Sequence, residues 1–151
     1  MNPDVVAAGS PWTAAEIDRF LTTWRSPLRL AVNTDAGFPL ICSLWFLYHE
    51  GRIQCATPRS ATVVECLQGD PKCGFELAPN EPPYFGVRGR GVARISSDGS
   101  MDLLGRLVDR HLGRRDTKFA RWLLGRSVDE VTITIDIDWI TSWDFSRRMS
   151  G

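Results

Sequence analysis

Residues 28 to 56 read Leu28-Arg29-Leu30-Ala31-Val32-Asn33-Thr34-Asp35-Ala36-Gly37-Phe38-Pro39-Leu40-Ile41-Cys42-Ser43-Leu44-Trp45-Phe46-Leu47-Tyr48-His49-Glu50-Gly51-Arg52-Ile53-Gln54-Cys55-Ala56, and this stretch decides the fold. Leu28, Leu30 and Val32 alternate with Arg29, Ala31 and Asn33, the period of two that sends successive side chains to opposite faces of a strand. Asp35-Ala36-Gly37 supplies turn chemistry. The run from Phe38 to Tyr48 is almost unbroken apolar and predicts one central strand covered on both faces. Glu50-Gly51 turns the chain again, and Ile53 to Ala56 makes a third strand. Consecutive strands joined by tight turns form an antiparallel meander, the pattern that closes into barrels.

On the N-terminal side, Pro3, Gly9, Ser10 and Pro11 predict a mobile arm over residues 1–11. Thr13 with Glu16 makes a capping box, with Trp12 and Ile17 placed as a hydrophobic staple. Ile17, Phe20, Leu21 and Trp24 then follow at helical spacing until Pro27. On the C-terminal side, Thr57-Pro58-Arg59-Ser60 interrupts the meander. A short helix through Val63, Val64 and Leu67 stops at Gly69-Asp70-Pro71. Strands follow at Cys73 to Ala78 and Tyr84 to Ile95. Two helical patterns lie between Ser100 and Gly125, joined by Arg114-Arg115-Asp116. The alternation of Val131, Ile133, Ile135 and Ile137 with Thr132, Thr134, Asp136 and Asp138 marks the last strand. The expectation is a mainly β protein, a six-stranded antiparallel barrel with three or four peripheral helices, since a parallel sheet needs a helix between nearly every pair of strands. One domain spans 12–146, and 147–151 is a tail in which Arg147 and Arg148 suit solvation first and an anion second.

A chain of 151 residues closes one core without a metal or disulfide staple. Eighteen basic residues balance eighteen acidic ones, so no overall field draws the molecule to nucleic acid or to an anionic membrane. Neither a signal peptide nor a run of about 18 apolar residues is present, and the expected location is the cytoplasm. Cys42, Cys55, Cys66 and Cys73 have no metal-ligand spacing and read as buried free thiols. No nucleophile motif occurs, and no residue is an evident general acid or base.

Chemistry concentrates in Cys55-Ala56-Thr57-Pro58-Arg59-Ser60-Ala61-Thr62-Val63-Val64-Glu65, where a strand ends and a helix begins. The N–H groups of a helix start favour an anion, and Arg59 with the hydroxyls of Thr57, Ser60 and Thr62 would add donors. The same residues also suit an ordinary helix cap, with Thr62 and Glu65 as a capping box. Arg88, Arg90 and Arg94 share one face of a strand. They suit a carboxylate or phosphate if that face borders a cleft, and a solvated edge if it does not. Gly89 and Gly91 between them mark a bend or the close approach of a ligand or backbone. Of the six tryptophans, Trp12, Trp24 and Trp122 fall at helical core positions. Trp45 and Trp143 suit either core packing or a cofactor ring.

In order and spacing, Pro39, Ser43-Leu44-Trp45-Phe46-Leu47-Tyr48, Gly51-Arg52-Ile53, Ala56-Thr57-Pro58-Arg59-Ser60 and Asp70-Pro71 resemble the core of the pyridoxamine 5'-phosphate oxidase-like family. Val87-Arg88-Gly89-Arg90-Gly91-Val92-Ala93 resembles its downstream strand. Trp139-Ile140-Thr141-Ser142-Trp143-Asp144-Phe145 resembles the last strand of the family's flavin or deazaflavin oxidoreductase branch. The resemblance spans residues 14 to 145. It implies an FMN-binding split barrel working as a homodimer, whose interface carries two cofactor sites, each lined by both subunits. It also implies ring contacts from Ser43, Leu44, Trp45 and Phe46, and phosphate contacts from Ala56, Thr57, Ser60, Ala61 and Thr62. Arg59, Arg88, Arg90 and Trp143 complete the expected cofactor set. Where the family commonly carries a lysine, often after an arginine, this chain has Ala61-Thr62, which removes up to two cations and leaves Arg59 to replace one. FMN is the first expectation and a deazaflavin coenzyme the alternative. Haem is disfavoured because His49 borders a turn and His111 sits on a helix. The implied activity is hydride exchange with a small organic substrate. The alternative is a non-catalytic protein that carries a flavin or another anionic ligand.

Overall fold

The computed structural model describes residues 1–125 and 129–149. A short 3-10 turn, Pro3–Val5, precedes helix α1 (Ala14–Thr23). Strands β1 (Leu28–Asn33), β2 (Pro39–Leu44), β3 (Phe46–His49) and β4 (Arg52–Pro58) lead to α2 (Thr62–Gly69). Strands β5 (Lys72–Leu77) and β6 (Phe85–Ser96) come next, then α3 (Ser100–Leu112) and α4 (Lys118–Gly125). The chain ends with β7 (Glu130–Asp144) and the single turn α5 (Ser146–Met149).

All strands join one antiparallel sheet in the order β2-β1-β5-β6-β7-β4-β3. The outermost strands, β2 and β3, are consecutive in the chain and separated only by Trp45. The two margins of the sheet therefore meet at that residue, and the sheet curls into an open barrel. Seven strands stand where six were expected, because the run Phe38–Tyr48 is two strands. Its first half pairs with β1 (Leu28↔Leu44) and its second with β4 (Phe46↔Cys55). Nor is the run a central strand covered on both faces: β2 and β3 are the margins of the sheet, and Phe38 and Ile41 are 76% and 65% exposed. Apolar content does not report which neighbour a strand pairs with, so the break carries no signal in the run itself.

The barrel is filled from its inner face by Leu28, Leu30, Val32, Phe46, Ile53, Cys55, Leu77, Val87, Ile133, Ile135 and Ile140, each at most 2% exposed. Each large aliphatic or aromatic among them contributes about 1.5–3 kcal/mol by leaving water. Ile17, Phe20 and Leu21 of α1 and Val63, Val64 and Leu67 of α2 join the same core. The expected box at α1 forms: the Glu16 amide donates to Thr13 Oγ1 at 3.3 Å and the Thr13 amide to Glu16 Oε2 at 2.8 Å. The box at Thr62 and Glu65 does not, because Ala61 occupies the cap position with extended backbone and Thr62 is already helical. Residues 1–11, expected as an arm, lie against β7: the Ala7 amide donates to the Ile140 carbonyl at 2.8 Å, and Ser10 Oγ meets Ser142 Oγ at 3.0 Å. In the expected tail, Ser146–Met149 forms a helical turn, and residues 150–151 lie outside the described residues. Trp122, expected in the core, is 55% exposed and stacks on Phe119.

The four cysteines are free thiols, with Cys55 and Cys73 buried and Cys42 and Cys66 half-buried. Burial pushes the Cys55 thiol well up and the Cys73 thiol up to about 12, so neither supplies thiolate at ordinary pH. Iodoacetamide at pH 8 is expected to leave both unmodified in the folded protein and to alkylate both in denaturant, read by peptide mass spectrometry. Native alkylation of Cys55 at the denatured rate would contradict this placement.

Candidate functional site

Trp45, the residue that joins the barrel's two margins, is held by the end of α3. Arg110 donates to the Thr22 and Trp24 carbonyls at 2.6 and 2.7 Å, satisfying backbone acceptors left over at the end of α1. Its guanidinium also lies 5.5 Å from the centroid of the Phe46 ring. This anchoring sets the next residue, His111, on Trp45: the rings are parallel to within 1° with centroids 5.0 Å apart. Burial, aided by the charges of Arg110 and Arg25, holds His111 below its ordinary 6.5 despite its hydrogen bond to the Phe46 carbonyl. A neutral imidazole therefore stacks on Trp45 at neutral pH. Phe119 of α4 meets the same indole edge-on, at 6.3 Å and 87°.

A groove of about 320 Å³ opens beside this corner, near the small end of the range for ligand pockets. Ser43, Leu44, Trp45, Ala56, Pro58 and Glu130 line it from the sheet and the Trp45 break. Leu104 and Leu107 of α3 and Phe119 and Leu123 of α4 form the opposite wall. Four of the expected contact residues, Ser43, Leu44, Trp45 and Ala56, are thus brought together. Phe46 and Thr57 are not: they alternate with the groove residues and are 0% and 6% exposed. The helical wall was missed because its leucines follow helical spacing and read as ordinary core. Glu130 falls in step with the polar alternation of Thr132, Thr134 and Asp136, and nothing in that pattern marks it as buried.

Pro58 lines the groove and, three residues later, Ala61 caps α2 with no side chain bonded to the helix start. Ser60, Thr62 and Arg59 are exposed there. The Arg59 amide donates to the Asp129 carbonyl at 2.8 Å, and its guanidinium to Ser97 Oγ at 2.7 Å. The expected anion-binding segment is therefore continuous with the ring-sized groove along the chain, and Arg59 is its cation.

Arg88, Arg90 and Trp143 lie elsewhere, on the outer face of β6 and β7. Both strands are interior to the sheet, not edges. Arg88 sits 5.9 Å from the centroid of the Trp143 ring, Arg90 pairs with Asp138 at 3.2 Å, and Arg94 pairs with Asp136. Arg90, Lys72 and Asp138 border a second depression of about 440 Å³ that shares no residue with the Trp45 groove. Phe38, Ile41 and Val92 stand exposed on this side of the sheet, at 76%, 65% and 43%. Among the described residues no group of His, Cys, Asp and Glu is arranged to hold a metal, and no helix is long and apolar enough to cross a membrane.

No family model matches the chain, and no curated protein matches it in sequence. Solved structures do resemble it in shape. The conserved hypothetical protein Rv2991 of Mycobacterium tuberculosis superposes with a TM-score of 0.77 at 22% identity, over 96% of this chain and 92% of its own. An F420 reductase gives 0.68 at 18% identity, over 80% and 93%. HutZ, the heme storage protein of Vibrio cholerae, gives 0.65 at 15% identity, over 87% and 93%. The fold is the split barrel shared with pyridoxamine 5'-phosphate oxidase-like and FAD-binding proteins. At these identities the likeness concerns the fold.

Proposed function

We propose that the protein is a homodimeric oxidoreductase that holds a flavin or deazaflavin ring at the Trp45 groove. One observation carries the reading: a ring-sized, largely apolar groove walled by Ser43, Leu44, Trp45 and Ala56 runs out at Pro58 into a helix start that no side chain caps. The residues present fit such a group. The groove offers aromatic and aliphatic walls to a planar ring. Arg59, Ser60, Thr62 and the start of α2, which no side chain caps, offer donors to a phosphate. Among the described residues Arg59 is the one cation of this segment, which makes for a weak hold on the phosphate. When bound, the ring supplies hydride chemistry. The chain's own part is to orient it against Trp45, which His111 keeps in one plane, and to limit water through the α3–α4 wall. FMN is the first choice and a deazaflavin coenzyme the second. Haem is disfavoured by the stacked, half-buried His111 and the exposed His49.

A second copy covering the exposed Phe38, Ile41 and Val92 would bury apolar surface. It would also bring its own Arg88, Arg90 and Trp143 toward a shared site. The test is a visible spectrum of the purified protein before and after reconstitution, with sedimentation alongside. A dimer carrying one oxidisable ring per chain supports the reading. A stable monomer at micromolar concentration, or a protein that stays colourless with FMN and deazaflavin supplied, overturns it. A carrier without turnover is favoured instead if the ring binds but does not cycle between a supplied reductant and an electron acceptor, a reading that the Ala61-Thr62 pair motivates.

A further inference from the structure

We propose that helix α4 docks the protein onto an anionic phospholipid surface, with Phe119 and Trp122 entering the headgroup boundary and Lys118 and Arg121 meeting the lipid phosphates. The docking does not depend on a bound ring. Helix α4 faces the barrel through Ala120, which is 0% exposed, and through Leu123 and Leu124, which are half-buried. At about 100° per residue, the opposite arc carries Phe119, Trp122, Lys118 and Arg121 in that order. Phe119 and Trp122 are 50% and 55% exposed, and their rings stack at 5.8 Å and 21°, so they present one continuous apolar surface. Beside them stand cations without local acids. Arg114 pairs with Asp116 and Arg115 with Asp109, each at 2.6 Å, whereas no carboxylate among the described residues pairs with the exposed Lys118 or Arg121.

Charge and shape select the occupant. A helix arc that only meets water carries polar side chains, and two large aromatics there hold apolar area in contact with solvent. At a bilayer surface the aromatic rings leave water while the long basic side chains keep their charged ends at the headgroups. The whole chain has balanced charge, so the attraction belongs to this face alone and is screened by salt. Two other occupants fit less well. Two copies meeting through this face about a two-fold axis would set Lys118 and Arg121 against their own equivalents. A nucleic-acid strand stacks its bases on free ring faces, and Phe119 and Trp122 already cover one face of each other. Phe119 also continues into Leu104, Leu107 and Leu123 of the groove wall, side chains that suit an acyl chain and offer a base no hydrogen bond.

The test is cosedimentation of the purified protein with vesicles of phosphatidylcholine alone or with about 30% phosphatidylglycerol, at low and at high salt. Binding to the anionic vesicles is expected to be at least about ten-fold tighter than to the neutral ones, and to fall as salt rises. Lys118→Gln combined with Arg121→Gln is expected to weaken it by about ten- to thirty-fold, while Lys118→Arg combined with Arg121→Lys retains it. Trp122→Ser is expected to weaken it by about ten-fold at unchanged charge. All three side chains are exposed, so these variants are expected to melt with the natural chain. Lipid brominated near the headgroup is expected to quench tryptophan fluorescence, and Trp122→Phe to remove most of that quenching. Equal binding to both vesicles, no binding at low salt, full binding by the double glutamine variant, or quenching that survives Trp122→Phe would overturn the proposal. So would a single-stranded RNA oligonucleotide that competes the protein off the vesicles, or a dimer that Trp122→Ser converts to monomer, since these assign the face to a nucleic acid or to a second copy. Flavin absorbance, measured without vesicles, reports on the ring seat separately.

Discussion

The Thr62→Lys variant is expected to bind FMN ten- to a hundred-fold more tightly than the natural chain. Thr62 is exposed at the first helical position of α2, where Ala61 provides no capping side chain. Lysine there adds a second cation beside Arg59, and one charge-assisted contact to a phosphate contributes about 1.5–3 kcal/mol, or one to two decades in Kd. Riboflavin has the same ring and no phosphate, so its affinity is expected to stay within about two-fold. Flavin fluorescence titration measures both ligands. An equal gain for riboflavin would place the effect on the ring, and no gain for FMN would remove the α2 start from the site.

Valine at Gly91 is expected to destabilise the fold by about 3 kcal/mol, lowering Tm by roughly 6–12 °C. Between Arg90 and Gly91 the pairing of β6 with β7 jumps from Trp139 to Ile137, leaving Asp138 as the extra residue of a β-bulge. At this bulge the backbones approach so closely that a Cβ on Gly91 would collide with the Asp136 carbonyl oxygen. Backbone on the facing strand cannot swing aside as a side-chain tip can. The contrast is Gly74, where an added Cβ would meet the Gly89 carbonyl at an ordinary 3.7 Å, and Gly74→Ala is expected to change stability by less than about 1 kcal/mol. Calorimetry on both variants decides. A Gly91→Val protein melting within 2 °C of the natural chain would contradict the bulge geometry. The sequence left open whether the glycines of Val87 to Gly91 serve a ligand or a backbone; at Gly91 it is the backbone.

Elements whose reason is local could be read from the sequence. The α1 cap follows from Thr13 and Glu16 alone, and the strand β1 from the alternation of Leu28, Leu30 and Val32. What could not be read depends on partners distant in the chain. The break at Trp45 exists because Leu44 pairs with Leu28 while Phe46 pairs with Cys55, and both halves of the run are equally apolar. Half of the groove was legible through Ser43, Leu44, Trp45 and Ala56. Its other half needs α3 and α4 to lie over the start of β7, which buries Glu130 at a position that periodicity assigns to solvent. Arg88, Arg90 and Trp143, expected with the groove residues in one cofactor set, lie in the single chain on a different face from the groove, so their part in a site depends on the second copy.

The central claim is that a planar redox ring lies against the segment from Ser43 to Trp45. Its most direct measurement is electron density from crystals grown with FMN and with a deazaflavin coenzyme. The ring is predicted along Ser43, Leu44 and Trp45, with its tail running past Pro58 toward Thr62. A ring bound on any other face, or a Trp45 groove still empty at saturating cofactor, would contradict it.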